Sequence, residues 1–81
     1  MNNIVLKYIG KQGAFYLFKK LDSPEVVQFH HVRSDLIYSF DLFSTRFMNK
    51  TFKVFFFEAK NDGRVSRIIS DLELQDEYEI V

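Results

Sequence analysis

The chain has 81 residues, with eleven basic and eleven acidic side chains and no cysteine. This length leaves room for one domain over 1–81, which removes about 60–65% of its extended surface from water on folding, enough for a marginal but independent fold. Zero net charge counts against strong polyanion affinity, and the lack of cysteine excludes disulfides and thiolate metal sites.

Core material is plentiful: ten Phe and four Tyr, each ring able to bury roughly 150–250 Å². The start Met1-Asn2-Asn3 is uncharged, and the apolar stretch from Ile4 is broken by Lys7 and ends at Gly10, unlike a signal peptide. No apolar run approaches the ~18–20 residues that cross a bilayer. The expectation is a soluble cytoplasmic protein that does not engage membranes.

In chain order, Ile4–Ile9 reads as a strand with Ile4, Leu6 and Tyr8 on one face, and Gly10 and Gly13 supply a turn. Ala14–Leu21 is a second strand, with Phe15 and Leu17 on one side and Tyr16 and Phe18 on the other. Asp22-Ser23-Pro24 ends it, because proline has no N–H to give a ladder. Val26–Val32 is a third strand, closed by Arg33-Ser34-Asp35.

The middle fits two periods. Leu36, Phe40, Phe43 and Phe47 share a helical face, while Leu36, Tyr38, Phe40 and Leu42 alternate as in a strand. The Ser, Asp, Tyr, Phe and Thr of 34–45 are poor helix formers, so a strand is expected at 36–41 and a short helical turn at 43–49.

Thr51–Ala59 is the strongest strand, with Phe55-Phe56-Phe57 placing rings on both faces. Asn61-Asp62-Gly63 signals a hairpin. The return segment 64–74 reads as a strand, although Val65, Ile68, Ile69 and Leu72 also fit a helix. Tyr78–Val81 reads as a last edge strand or a tail.

These elements predict an all-β or β-rich fold: a small antiparallel barrel of five or six strands, OB- or SH3-like, with one short helical segment. Within it, Tyr38-Ser39-Phe40-Asp41-Leu42, Phe47-Met48-Asn49-Lys50, Phe52-Lys53-Val54, Arg67-Ile68-Ile69 and Asp71-Leu72-Glu73-Leu74 resemble the second half of OB-like barrel domains of uncharacterised bacterial proteins. The resemblance implies a barrel and a mild tendency to bind nucleic acid, oligosaccharide or protein on a sheet face; no catalytic residue comes with it.

The charges are unevenly spread. Residues 1–67 carry eleven basic and six acidic side chains, net +5, and 68–81 carry five acidic and no basic ones, net −5. Either the acidic end pairs with basic neighbours as ordinary surface, or the first 67 residues present a basic face to a polyanion.

No catalytic apparatus is evident, so an enzyme is not expected. His30 and His31 are adjacent on a strand and point opposite ways, which gives no metal-ligand set. Ser34, Ser39, Ser44, Ser66 and Ser70 lack a nucleophile elbow, and the carboxylates Asp71 and Glu73 suit a solvated edge. No cofactor is expected.

The positive signal is aromatic residues interleaved with lysines. Lys53, Phe55 and Phe57 share one strand face, opposite Phe52, Val54 and Phe56. Tyr16, Phe18 and Lys20 form a similar set, and Lys7 joins from the first strand. These seven residues are the candidate binding surface. The leading expectation is an interaction module that meets a protein partner or a second copy of itself; the alternative is an OB-like single-stranded nucleic-acid binder.

Overall fold

The computed structural model describes residues 2–40, 42 and 45–75. In order, it contains β1 (Asn2–Gln12), β2 (Phe15–Lys20), β3 (Val26–Phe29), β4 (His31–Val32), helix α1 (Ser34–Ser39), a 3-10 turn (Thr45–Phe47), β5 (Thr51–Asn61) and β6 (Arg64–Leu74). The expected edge strand at 78–81, and Asp41 and Phe43 in the middle segment, lie outside the described residues.

All six strands belong to one sheet, in the order β3-β2-β1-β5-β6-β4. β3 and β4 sit at opposite ends of that order, yet only His30 separates them in the chain. The chain therefore passes directly from one edge of the sheet to the other, which bends the sheet so that β3 lies near β6. All neighbours are antiparallel except β4 and β6, which run parallel over His31↔Ile68 and Val32↔Ile69. This corrects the expectation of antiparallel pairing throughout. Direction alternates along β3-β2-β1-β5-β6, and β4 continues the course of β3, so it must run parallel to β6.

His30 secures this seam. Its backbone N–H donates to the Arg67 carbonyl (2.9 Å), and its Nδ1 accepts the Arg67 N–H (3.0 Å). One break thus replaces the continuous strand expected over 26–32.

Two bulges tune the curl. Ile9 is an extra residue between the pairs Tyr8↔Phe18 and Gly10↔Leu17. Gly10 has φ +122°, a backbone conformation that favours glycine, and a Cβ there would lie 3.1 Å from Met48 Sδ, so that side chain would have to shift by a few tenths of an ångström. Ser70 is the second extra residue, between Phe55↔Asp71 and Phe56↔Ile69, and its hydroxyl donates to the Phe55 carbonyl. The bulge lets Ile69 and Leu72, three apart, both face inward and be buried.

The core is aromatic. Phe18 lies 5.0 Å from Tyr8, 5.4 Å from Phe29 and 6.4 Å from Phe52, ring centre to ring centre, in tilted or edge-on contacts. Leu6, Val54, Leu36, Leu42, Ile69 and Leu72 complete it.

At Ser34–Ser39 the chain is helical where a strand is expected. Helical spacing puts Leu36 on the core and brings Phe40 against it, leaving Tyr38 89% exposed. An extended chain would have placed Tyr38 beside both on the apolar face. Burial of Leu36 and Phe40 outweighs weak local propensity. Phe40 and Phe47 then meet edge-on at 5.8 Å and both pack on Phe52, so the 3-10 turn brings the crossover back to the core.

Candidate functional site

On β5 the alternation falls as the sequence predicts. Phe52 and Val54 are buried, and Phe56 packs against the core, 5.3 Å from Phe29. Lys53 and Phe55 point outward and are half-buried; Phe57 is exposed. The three form one outer row.

Tyr16 and Phe18 do not belong to that surface. Phe18 is fully buried and Tyr16 nearly so, and burial pushes the Tyr16 hydroxyl above its ordinary range. β2 presents its other face outward. Shifting a strand by one residue exchanges its two faces, and Tyr16 and Phe18 are the pair that fits the core. Lys20 follows Tyr16 and Phe18 by alternation to the inner side, where its Nζ lies 3.2 Å from Glu25 Oε1. It is a structural ion pair at the rim. Lys7 alone of the first-hairpin candidates faces out.

Exchanging the faces of β2 builds a different surface. Phe15, Leu17 and Lys19 point outward, with Leu17 opposite Gln28 and Lys19 opposite Val26 on β3. Across the other edge of β2, Lys19 faces Lys7 on β1. Phe15 and Val26 are exposed, and Phe15 meets the His30 ring edge-on at 5.2 Å. Residues 2–20 contain Lys7, Lys11, Lys19 and Lys20 and no acidic residue. The outer face of β1, β2 and β3 is therefore an apolar strip crossed by two adjacent lysines. The sequence places Phe15 and Leu17 on one side together, but nothing in it says which side faces water, because lysines occur on both.

The β5 row has a different electrostatic setting. Lys53 lies opposite Glu73 and Phe55 opposite Asp71 on β6, and both acids are exposed. Lys53 Nζ also sits 5.3 Å above the Phe55 ring. Glu73 thus lies across the ladder from a basic side chain, and the row is rings in mixed charge.

The histidines are not brought together. His30 Nδ1 is engaged by Arg67, and His31 is exposed. Among the described residues no cluster of His, Asp or Glu is placed to hold a metal ion. A hollow of about 380 Å³ opens beside the start of β1, lined by Ile4, Val5, Lys20, Leu21 and Asp22; no histidine lines it. No helix among the described residues is long and apolar enough to cross a membrane. Comparison with known protein families, with curated proteins and with solved structures finds no match to this chain.

Proposed function

We propose that this chain is a small binding domain of OB-like architecture, without chemistry of its own, that holds single-stranded nucleic acid across the outer face of β1, β2 and β3. Its topology supports the architecture. The first pass pairs with the second and with β5; the third pass, β3 and β4, pairs antiparallel with β2 and parallel with β6; the helix falls between the third pass and β5. Domains of this type present ligands to their second and third strands.

The observation that carries the ligand reading is Lys7 opposite Lys19 on an acid-free hairpin. Like charges facing across a ladder cost roughly 0.2–1 kcal/mol, a cost that a bridging phosphate reverses. Phe15 and Leu17 on the same face offer apolar surface to bases, and each base–ring stack contributes ~1–3 kcal/mol. A cysteine-free chain suits a reducing cytoplasm, where such ligands occur.

The test is fluorescence anisotropy with a labelled oligothymidylate over a range of salt. Micromolar binding that weakens steeply with salt is expected, with the log–log slope falling by about 1.4 in Lys7→Ala/Lys19→Ala, at ~0.7 per phosphate contact. Absent or salt-independent binding contradicts the reading.

A second reading rests on the β5 row. Phe55 and Phe57, flanked by Lys53, Asp71 and Glu73, have the apolar centre and polar rim of a protein interface. This favours a protein partner or a second copy there. The two readings separate by which strands respond to a ligand.

A further inference from the structure

Among the described residues, the β5–β6 hairpin leaves one edge of β5 without a neighbour: β1 pairs with β5 only as far as Asn2↔Phe56, while the β5–β6 ladder continues to Asn61↔Arg64. Asn61 and Arg64 flank the two-residue loop Asp62-Gly63, and both loop residues have positive φ (53° and 77°), the type I′ pattern. In such a hairpin the flanking pair exchanges both backbone hydrogen bonds, and pairs alternate from there. Ala59–Ser66 and Phe57–Ile68 are then bonded pairs. Lys60–Val65 and Glu58–Arg67 are the wide pairs, whose N–H and C=O groups face away from the hairpin. Arg67 bears this out, since its N–H and C=O both bond to His30. On β5, the outward groups are those of Glu58 and Lys60, both exposed.

We infer that this edge pairs with the same edge of a second copy of the chain, antiparallel, with Ala59 on the two-fold axis. In that register Glu58 faces the partner's Lys60 and Lys60 faces the partner's Glu58. Each pair exchanges both backbone hydrogen bonds and joins opposite charges. The registers displaced by two residues set Glu58 against Glu58 or Lys60 against Lys60, and like charges directly opposite are unfavourable. Ala59, the small residue, lies where the two strands' side chains come closest. Phe57, 43% exposed, gains cover from the partner's Asn61 and Ala59 on the same face. A bare edge of this kind is a template for a further strand, and charge alternation here selects a single register.

This inference is independent of the nucleic-acid reading and is tested without ligand. Sedimentation velocity from micromolar to millimolar protein should show mass rising toward a dimer, with the Glu58 and Lys60 amides shielded from hydrogen exchange in step. Lys60→Pro removes an outward N–H and no bond within the hairpin, so it should stay monomeric with an unchanged circular dichroism spectrum. Glu58→Lys and Lys60→Glu should each weaken association by about tenfold, two facing pairs being lost. The double exchange should restore it. Loss of the Glu58–Arg67 ion pair, 3.5 Å apart, persists in the double variant and cannot account for the recovery. A wild-type monomer at every concentration, a Lys60→Pro dimer as tight as wild type, or a double variant as weak as the singles would overturn the proposal.

Discussion

The buried Tyr8 hydroxyl donates a 2.7 Å hydrogen bond to the carbonyl of Leu42, 34 residues along the chain. It fastens the crossover after α1 to the first strand. The Tyr8 backbone holds the far end of the same crossover: its N–H donates to Lys50 O (2.9 Å) and its carbonyl accepts from Asn49 N (2.7 Å). One residue therefore fixes where the chain leaves α1 and where it enters β5.

Tyr8→Phe keeps the ring and strands the Leu42 carbonyl. A loss of about 1–3 kcal/mol is expected in urea unfolding, the cost of a buried acceptor without its donor. An unchanged midpoint would mean that the bond contributes nothing.

Alkaline pH should act through the same group. Burial, and then the charge of neighbouring Tyr16, push the Tyr8 hydroxyl from 10.0 up to about 12. Between those values the unfolded chain releases a proton that the folded chain keeps. Stability is therefore full below pH 10 and falls as pH rises toward 12, by at most about 1.4 kcal/mol per unit. Melting temperatures across that range should fall less steeply in Tyr8→Phe.

The two faces of the aromatic strands should respond oppositely to truncation. Phe18→Ala empties the centre of the core and should cost about 3–5 kcal/mol, enough to unfold a domain this small. Phe57→Ala and Phe15→Ala, on the outer faces, should each change stability by about 1 kcal/mol or less. If Phe18→Ala melted like wild type, the inward assignment of β2 would be wrong.

At the seam, His30→Ala should cost about 1–3 kcal/mol because the Arg67 N–H loses its acceptor. The amides of Arg67 to Ile69 should lose protection from hydrogen exchange before those of β1 and β2.

Much of the fold is legible in the sequence because period-2 patterns are strong where one face is buried. Leu6 and Tyr8, and Phe52, Val54 and Phe56, sit inward as their alternation requires. Asp62-Gly63 makes its hairpin. Two features mimic another period. Ile69 and Leu72 are three apart and look helical, yet the Ser70 bulge reconciles that spacing with a strand. Leu36, Tyr38 and Phe40 alternate as in a strand, yet the chain is helical over Ser34–Ser39, because burial of Leu36 with Phe40 against the core decides between the two periods. The jump from β3 to β4 has no local signal, because it depends on hydrogen bonds to Arg67, far along the chain.

The candidate site is half legible for the same reason. Lys7, Lys53, Phe55 and Phe57 face outward, as alternation allows. Tyr16, Phe18 and Lys20 lie on the inner face of β2, and Phe15 and Lys19 occupy the outer one. Both faces of that strand carry an aromatic and a lysine, so only packing against Tyr8 and Phe52 decides between them.

A nucleic-acid site on the outer face of β1, β2 and β3 can be mapped by amide chemical shifts of the protein titrated with a short oligothymidylate at low salt. Progressive, saturable shifts should centre on Lys7, Phe15, Leu17, Lys19 and Gln28, with Tyr16 and Phe18 moving less and the shifts vanishing as salt is raised. Shifts confined to Lys53, Phe55 and Phe57, or none at all, would contradict a site there.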